Sequence, residues 1–287
     1  MMKIRSYITP LKETVVLLSG NPIVLSGSIV VLGIVLVAIA APFLVSPQVA
    51  TSVNLSNQLL PPSAAHWFGT DDLGRDVFGL VMLAASYDMS AAGLILLISS
   101  TIGILLGTVA GYFGGKLDEA IMRITDVFLA FPSLVLAMAV AAVLGRSLLN
   151  LVLAVTITHW SSVCRLIRGQ SLAERGKPYV DSLEVLGLPK RRIILRHIIP
   201  NTIYPVLIYI TTQIGFVILT FAGLNYIGFG PGPLTPEWGE LIATAQTYIF
   251  QDPTLVLFPG LAIFITSMAF NLLGDGLRDI FDPKLRK

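Results

Sequence analysis

Six stretches of the chain consist almost entirely of apolar residues. They run over about 22–45, 89–112, 127–144, 148–166, 203–225 and 255–273. A helix that rises about 1.5 Å per residue needs roughly 20 residues to cross about 30 Å of hydrocarbon. The pattern therefore predicts an all-α integral membrane protein with six transmembrane helices.

These stretches divide the chain into a tail, a first helix, a connecting segment and a larger core. The predicted parts are a tail at 1–21, a first helix at 22–45, an external segment at 46–88, a five-helix core at 89–275 with loops at 168–201 and 226–253, and a second tail at 276–287. A cleavable signal peptide is the alternative for the first stretch, because Ala38-Ile39-Ala40 resembles a cleavage site. The apolar run is longer than a usual signal core, which favours a retained span.

Charge then orients the six helices in the membrane. Of the 19 Lys and Arg residues, 17 fall in the two tails and in the loops on the same side as the tails. Only Arg75 and Arg146 fall on the opposite side. Short cytoplasmic loops carry the excess of positive charge, so we expect both termini to be cytoplasmic in a multi-pass protein of the cell membrane. Charged residues make up 13% of the chain and the net charge is +2, which gives no indication of nucleic-acid binding.

The sequence lacks the residues that several kinds of functional site require. The lone Cys164 excludes an internal disulfide or a multi-cysteine metal site, and no G-x-x-x-x-G-K-[ST] phosphate loop is present. We therefore expect no catalytic, cofactor or metal residues in this chain, and any ATP must be hydrolysed by a partner. An ion-coupled transporter would need titratable residues at the midplane, and a hydrolase would need a nucleophile and base. His159 has no such partner in its span.

The most informative loop covers 168–201 and reads RGQSLAERGKPYVDSLEVLGLPKRRIILRHIIPN. Pro178 can start a short helix, and Gly187 can end it in the left-handed conformation. Pro189 can open a second helix, which we expect to stop before Pro200. The pattern alone is equally typical of an interfacial hairpin whose basic face holds anionic lipid headgroups.

This loop resembles the EAA motif of ABC importer permeases. Asp181, Ser182 and Leu183 stand where the motif has Glu-Ala-Ala, and Gly187 matches the motif glycine. Asp keeps the negative charge one methylene shorter, whereas Leu183 places bulk where the family has little. The resemblance extends over about 22–285 through HWFGTDDLGRDV (66–77), GYFGG (111–115), AFPSL (130–134), TPEWGELI (235–242) and FPGLAIFITSMAFNLLGDGLRDIFDP (258–283). It is strongest to the C-type permeases of dipeptide and oligopeptide importers.

The resemblance implies a type I importer permease that forms half of a translocation pathway. Its implied partners are a second homologous permease, two ATPase subunits that bind ATP and Mg²⁺, an external binding protein and the bilayer. The residues implied to couple to the ATPase are Tyr179, Val180, Asp181, Ser182, Leu183, Glu184, Val185, Leu186, Gly187, Leu188 and Pro189. Peptides are the first substrate hypothesis; oligosaccharides and nickel complexes remain open, and ion-coupled transport is the alternative class.

Weaker candidates lie outside this loop. His159, Asn225 and Asn271 are candidates for the pathway, although polar residues in membrane helices more often bond to a neighbouring helix. Thr235 and Pro236 predict the start of an external helix, in which Trp238 and Glu240 could touch the binding protein. Trp238 is more typical of an anchor at the membrane interface.

Two further patterns have competing structural explanations. The residues of 71–76 could bind a metal, but local caps and ion pairs are the commoner role of such a cluster. Gly103, Gly107 and Gly111 have the spacing that allows close helix contact, although glycine is common in membrane helices generally.

Overall fold

The computed structural model describes residues 22–281, so the predicted tail at 1–21 and residues 282–287 lie outside it. The described part contains helices and no β-strand. Besides short helical segments at Pro47–Ala50, Leu55–Asn57 and Gln246–Tyr248, the helices are α1 Pro22–Leu44, α2 Val77–Phe113, α3 Gly115–Leu129, α4 Ser133–Leu144, α5 Leu148–Arg175, α6 Pro178–Val185, α7 Lys190–Ile193, α8 Ile199–Tyr226, α9 Trp238–Ala245 and α10 Thr254–Phe281.

Five helices in this part are long and apolar enough to cross a membrane, and there are six spans if one bent pair counts as a single span. The pair is α3 and α4, which meet at 89°. The prediction of one continuous helix over 127–144 is therefore wrong. Pro132 at the break lacks a backbone N–H and keeps the preceding Phe131 out of the helical region, so the helix cannot run through.

Helix α2 begins twelve residues earlier than predicted. The Asp76 side chain caps it by accepting a hydrogen bond from Gly79 N at 2.8 Å. Its 37 residues amount to about 55 Å, well beyond the roughly 30 Å of hydrocarbon. Asp88, the last residue of the predicted external segment, instead lies within this helix.

The two ends of α2 organise the rest of the fold. We call the end near Val77 the outer end, because the segments predicted to be external gather there. Arg75 lies at this end, bound to Asp71 at 2.7 Å and donating to Pro233 O at 2.6 Å. The end near Phe113 is the inner end, and the 168–201 loop packs against it. The caps and ion pair predicted for 71–76 are thus confirmed.

Helices α2 and α5 pack at very close range. A Cβ added to Gly103, Gly107 or Gly111 would lie less than 3 Å from atoms of α5, including Cys164 O and Arg168 O. Only glycine permits this distance between the two backbones. The four-residue spacing therefore reflects close helix contact here.

The 226–253 segment differs from its prediction. Helix α9 begins at Trp238 rather than Pro236, and Glu237 occupies the position before it without capping through its side chain. Trp238 is buried, and its indole N–H donates to Val81 O at 3.0 Å. The prediction that Trp238 anchors at the interface is wrong, because the extended α2 offers this ring a buried partner.

The second helix of the 168–201 loop does not stop before Pro200. After α7, a wider π-helical turn over 194–198 leads directly into α8. Pro200 follows the wider turn directly; because proline has no backbone N–H to donate to the preceding turn, the regular α-helical pattern is interrupted there without ending the helix. A continuous helix therefore connects the loop to the membrane.

Candidate coupling site

The 168–201 loop is anchored by an apolar cluster at its base. Val180 on α6, Ile193 on α7 and Ile198 in the π-helical turn are fully buried. Tyr112, near the inner end of α2, packs in the same cluster. The base of α6 therefore belongs to the body of the protein.

The turn after α6 has the predicted geometry. Gly187 has a φ of +75°, the left-handed region that favours glycine. Its N–H donates to Glu184 O at 3.0 Å, and Leu188 N donates to Leu183 O at 3.2 Å. These bonds satisfy carbonyls at the helix end, as the prediction of a glycine cap requires.

A polar contact ties α6 to α2. The Tyr112 hydroxyl donates to Glu184 Oε1 at 2.8 Å across 72 positions of sequence. Arg175, the last residue of α5, lies with its guanidinium carbon 5.3 Å from the Tyr112 ring centre and donates to Tyr112 O. One tyrosine therefore connects α2, α5 and α6.

A second contact ties α6 to α5. The Tyr179 hydroxyl donates to Glu174 Oε1 at 2.7 Å, and Lys177 forms an ion pair with the same carboxylate. Burial, together with the hydrogen bond and charge of Glu174, raises the pKa of Tyr179 to about 12. The tyrosine therefore stays neutral and remains a donor at physiological pH.

The opposite face of α6 and its C-terminal end are exposed. Val185 is 88% exposed and Leu186 is 74% exposed, while Asp181 and Ser182 also face outward. Two large apolar side chains at the end of a firmly held helix are suited to burial in a protein partner. The coupling residues thus separate into a buried base and an exposed tip.

The three pathway candidates do not come together. His159 is buried with no partner for Nε2, and Asn225 is buried with neither polar atom bonded. Asn271 is exposed on α10. The geometry does not assemble them into one polar surface, and their role in a pathway stays a prediction.

The two residues predicted to touch a binding protein are both buried. Trp238 packs under α2, and Glu240 lies on the same short helix with little exposed surface. Neither offers the accessible surface that the prediction assumed. Their burial therefore argues against a direct contact in this conformation.

Sequence reasoning missed the residues that hold the loop in place. Tyr112 and Glu174 bond to α6 directly, and Arg175 holds Tyr112 in place. Tyr112 stands in the GYFGG motif, which was quoted only as part of a resemblance. The sequence around Tyr112 does not indicate its bonding partner, because Glu184 lies 72 positions away.

The comparisons with known proteins fit this geometry. A profile of the binding-protein-dependent transport system inner membrane component family matches residues 103–287. The chain belongs to this family and is the permease subunit of an ABC importer.

Curated relatives align over nearly the whole chain. A probable D,D-dipeptide transport system permease of Escherichia coli K12 is 39% identical over 97% of this chain and 96% of its own length. A dipeptide transport system permease of Alkalihalophilus pseudofirmus is 38% identical over 97% and 91%. A glutathione transport system permease of Escherichia coli O157:H7 is 39% identical over 91% and 86%.

Proposed function

We propose that this chain imports short peptides as one half of a heteromeric permease, driven by ATPase subunits that dock on α6. The observation that carries the docking site is the exposed Val185-Leu186 pair on a helix whose base is held by Tyr112 and Glu174. An apolar tip with a fixed base can both bind a partner and transmit its movement.

Transmission follows from the contacts of α6. A displacement of α6 acts on α2 through the bond between Tyr112 and Glu184, and on α5 through Tyr179 and Glu174. Because α2 and α5 pack through glycine contacts, they would move as one body. Rigid-body movement of this kind is an established class of switching transition.

The partners supply what this chain lacks. In this proposal two ATPase subunits bind ATP and Mg²⁺, a second permease completes the pathway, and a binding protein delivers the peptide outside. The inner end then faces the cytoplasm, as the distribution of Lys and Arg predicts. Short peptides are preferred as substrates because the relatives carry names for dipeptide, D,D-dipeptide and glutathione transport.

Docking can be tested by purification with a matched control. The sequence Val-Leu-Gly ends both α6 and α4, and Gly187 and Gly145 both have positive φ. Val185 and Val143 are 88% and 86% exposed. The double change Val185→Ser/Leu186→Ser should reduce co-purified ATPase at least about tenfold, since a loss of 1.4 kcal/mol already corresponds to that factor.

The double change Val143→Ser/Leu144→Ser should leave ATPase recovery unchanged. Mass spectrometry of the complex purified in mild detergent measures both, and the yield of permease shows whether each variant folds. Equal loss in both variants, or none in either, would contradict docking on α6.

The substrate can be tested in proteoliposomes that contain the complete importer and its binding protein. We expect ATP-dependent uptake of labelled dipeptide or glutathione, and no comparable uptake of an oligosaccharide or of nickel. Uptake driven by an ion gradient without ATP would contradict the proposal.

A further inference from the structure

Three buried polar side chains meet at the outer end without partners for their polar atoms. Asp88, Asn225 and Glu237 are 1%, 0% and 0% exposed. Asp88 Oδ1, both carboxylate oxygens of Glu237 and both polar atoms of Asn225 form no hydrogen bond. Burying such groups unsatisfied is expensive, above all when they carry charge.

The backbone brings these side chains together. Asp88 Oδ2 on α2 accepts a hydrogen bond from Trp238 N at 3.0 Å, which places the adjacent Glu237 beside α2. A Cβ at Gly230 would lie less than 3 Å from Asn225 Oδ1 and 3.4 Å from Glu237 Oε2. The 226–237 loop thus wraps around Asn225 and delivers Glu237 to Asp88.

The charges around this cluster do not neutralise it. The pKa of Glu237 is raised to about 8 by burial first, and then by the negative charges of Asp88 and Glu240. Arg75 and Arg146 are the cations near Glu240, where they oppose the effect of burial on its pKa. Arg75 is itself bound to Asp71 and Pro233 O, which leaves its guanidinium engaged elsewhere.

We propose that Glu237 holds a proton in this closed arrangement, and that this proton fastens the 226–253 segment to α2. The unpaired oxygens have almost no accessible surface, so the cluster has no room for a peptide. Two carboxylates and one amide fall short of the six to eight oxygens that calcium takes. The neutral acid can donate within the cluster, whereas its ionised form would put two negative charges in a sealed site.

The direction of the pH dependence follows from linkage. The ordinary pKa of a glutamate carboxyl is 4.5, and that of Glu237 in the closed segment is about 8. The closed segment therefore binds the proton more tightly than an open one. Closure is strongest at acidic pH, weakens as pH rises between these two values, and changes little above the higher one.

Hydrogen exchange on the purified importer complex tests this proposal. The exchange of α9 amides is compared between the wild type and Glu237→Gln at each pH, so that the intrinsic pH dependence of exchange cancels. At about pH 4.5 the two proteins should be protected to within a few-fold of each other, because the Glu237 carboxyl is still about half protonated in the open segment too. At about pH 8.5 the wild type should be protected at least tenfold less, because its carboxyl ionises and the amide cannot.

Two further variants sharpen the test. Glu240→Gln on the same helix should keep a pH-dependent transition, moved to lower pH by less than in Asp88→Asn, because Glu240 contributes less than Asp88 to the raised pKa of Glu237. Asp88→Asn should move the wild-type transition to lower pH, because it removes a charge that raises the pKa of Glu237. It also provides a readout if Glu237→Gln does not assemble.

Three results would overturn the proposal. The first is a ratio between wild type and Glu237→Gln that stays constant with pH. The second is a Glu240→Gln variant that loses the pH dependence as fully as Glu237→Gln. The third is protection at alkaline pH that is restored when sodium replaces choline at constant ionic strength, which would assign the site to a metal cation.

Discussion

The two ends of α2 hold their neighbours by opposite means. At the inner end, Tyr112 bonds to Glu184, a residue that is itself exposed to solvent. At the outer end, Asp88 bonds to Trp238 N in a sealed site where Glu237 and Asn225 lack partners. The polar bond at the inner end reaches solvent through Glu184, whereas the one at the outer end is buried among side chains that lack partners.

The inner attachment leaves a surface free for a partner protein, whereas the outer attachment buries its surface within the chain. The inner loop leaves Val185 and Leu186 exposed, whereas the outer segment buries Trp238 against α2. Polar bonds next to solvent can break and form at little net cost. Changes at the outer end should therefore act mainly on stability, and changes at the inner end mainly on coupling.

The largest expected effect is at Gly239, in the first turn of α9. A Cβ there would lie less than 3 Å from the backbone of Ala222, which cannot move aside as a flexible side chain would. Gly239→Ala should destabilise the protein by about 1–3 kcal/mol. Thermal unfolding of the purified complex measures this.

Gly223 supplies the matched control for this change, because a Cβ there meets nothing within 4 Å. Gly223→Ala should be neutral or stabilising by up to about 1 kcal/mol, as expected within a helix. If the two alanines behave alike, the outer segment is not held by close backbone contact.

Tyr112→Phe should have a smaller effect on stability, about 1 kcal/mol, because the Glu184 carboxylate can turn to water. Its effect on coupling should be larger, with transport per ATP hydrolysed falling several-fold. Uptake and hydrolysis measured together in proteoliposomes give this ratio.

Tyr226→Phe makes the same change at the outer end, where the hydroxyl donates to Gln246 Oε1 at 2.6 Å. It should leave transport per ATP unchanged. A fall of similar size in both variants would show that the two ends do not differ in this respect.

The smallest effect should come from the surface charges of the inner end. Arg123 pairs with Glu119 at 2.7 Å, and both side chains are mostly exposed. Arg123→Gln should change stability by about 0.5 kcal/mol or less, because water screens such pairs. A larger loss in thermal unfolding would mean that charge pairs, rather than the cluster around Val180, hold the inner end.

The sequence predicted the parts of the fold that depend on local chemistry. Hydropathy located the spans, and the Gly187 turn followed from the need for a left-handed residue. The start of α2 was misplaced because its outer turns are buried by protein rather than by lipid, so its polar Asp88 looked like a boundary. The bend at Pro132 was missed because the apolar run continues through it.

The coupling site also has a part that could be predicted from the sequence and a part that could not. The exposed tip of α6 could be predicted from its motif, since its residues are adjacent in sequence. Its attachment through Tyr112 could not, because the partner is 72 positions away. Likewise, nothing local places Glu237 beside Asp88, which depends on the path of the whole 226–237 loop.

The glycines between α2 and α5 have a consequence for how this sequence can change over evolutionary time. At Gly103, Gly107 and Gly111 a new side chain would collide with the neighbouring helix, so these positions should resist drift in every descendant. A single substitution cannot move the two helices apart, because the close contact would persist at the other two glycines. We expect the exposed tip of α6 to vary among related proteins together with the partner that it contacts, while the three glycines between α2 and α5 stay the same.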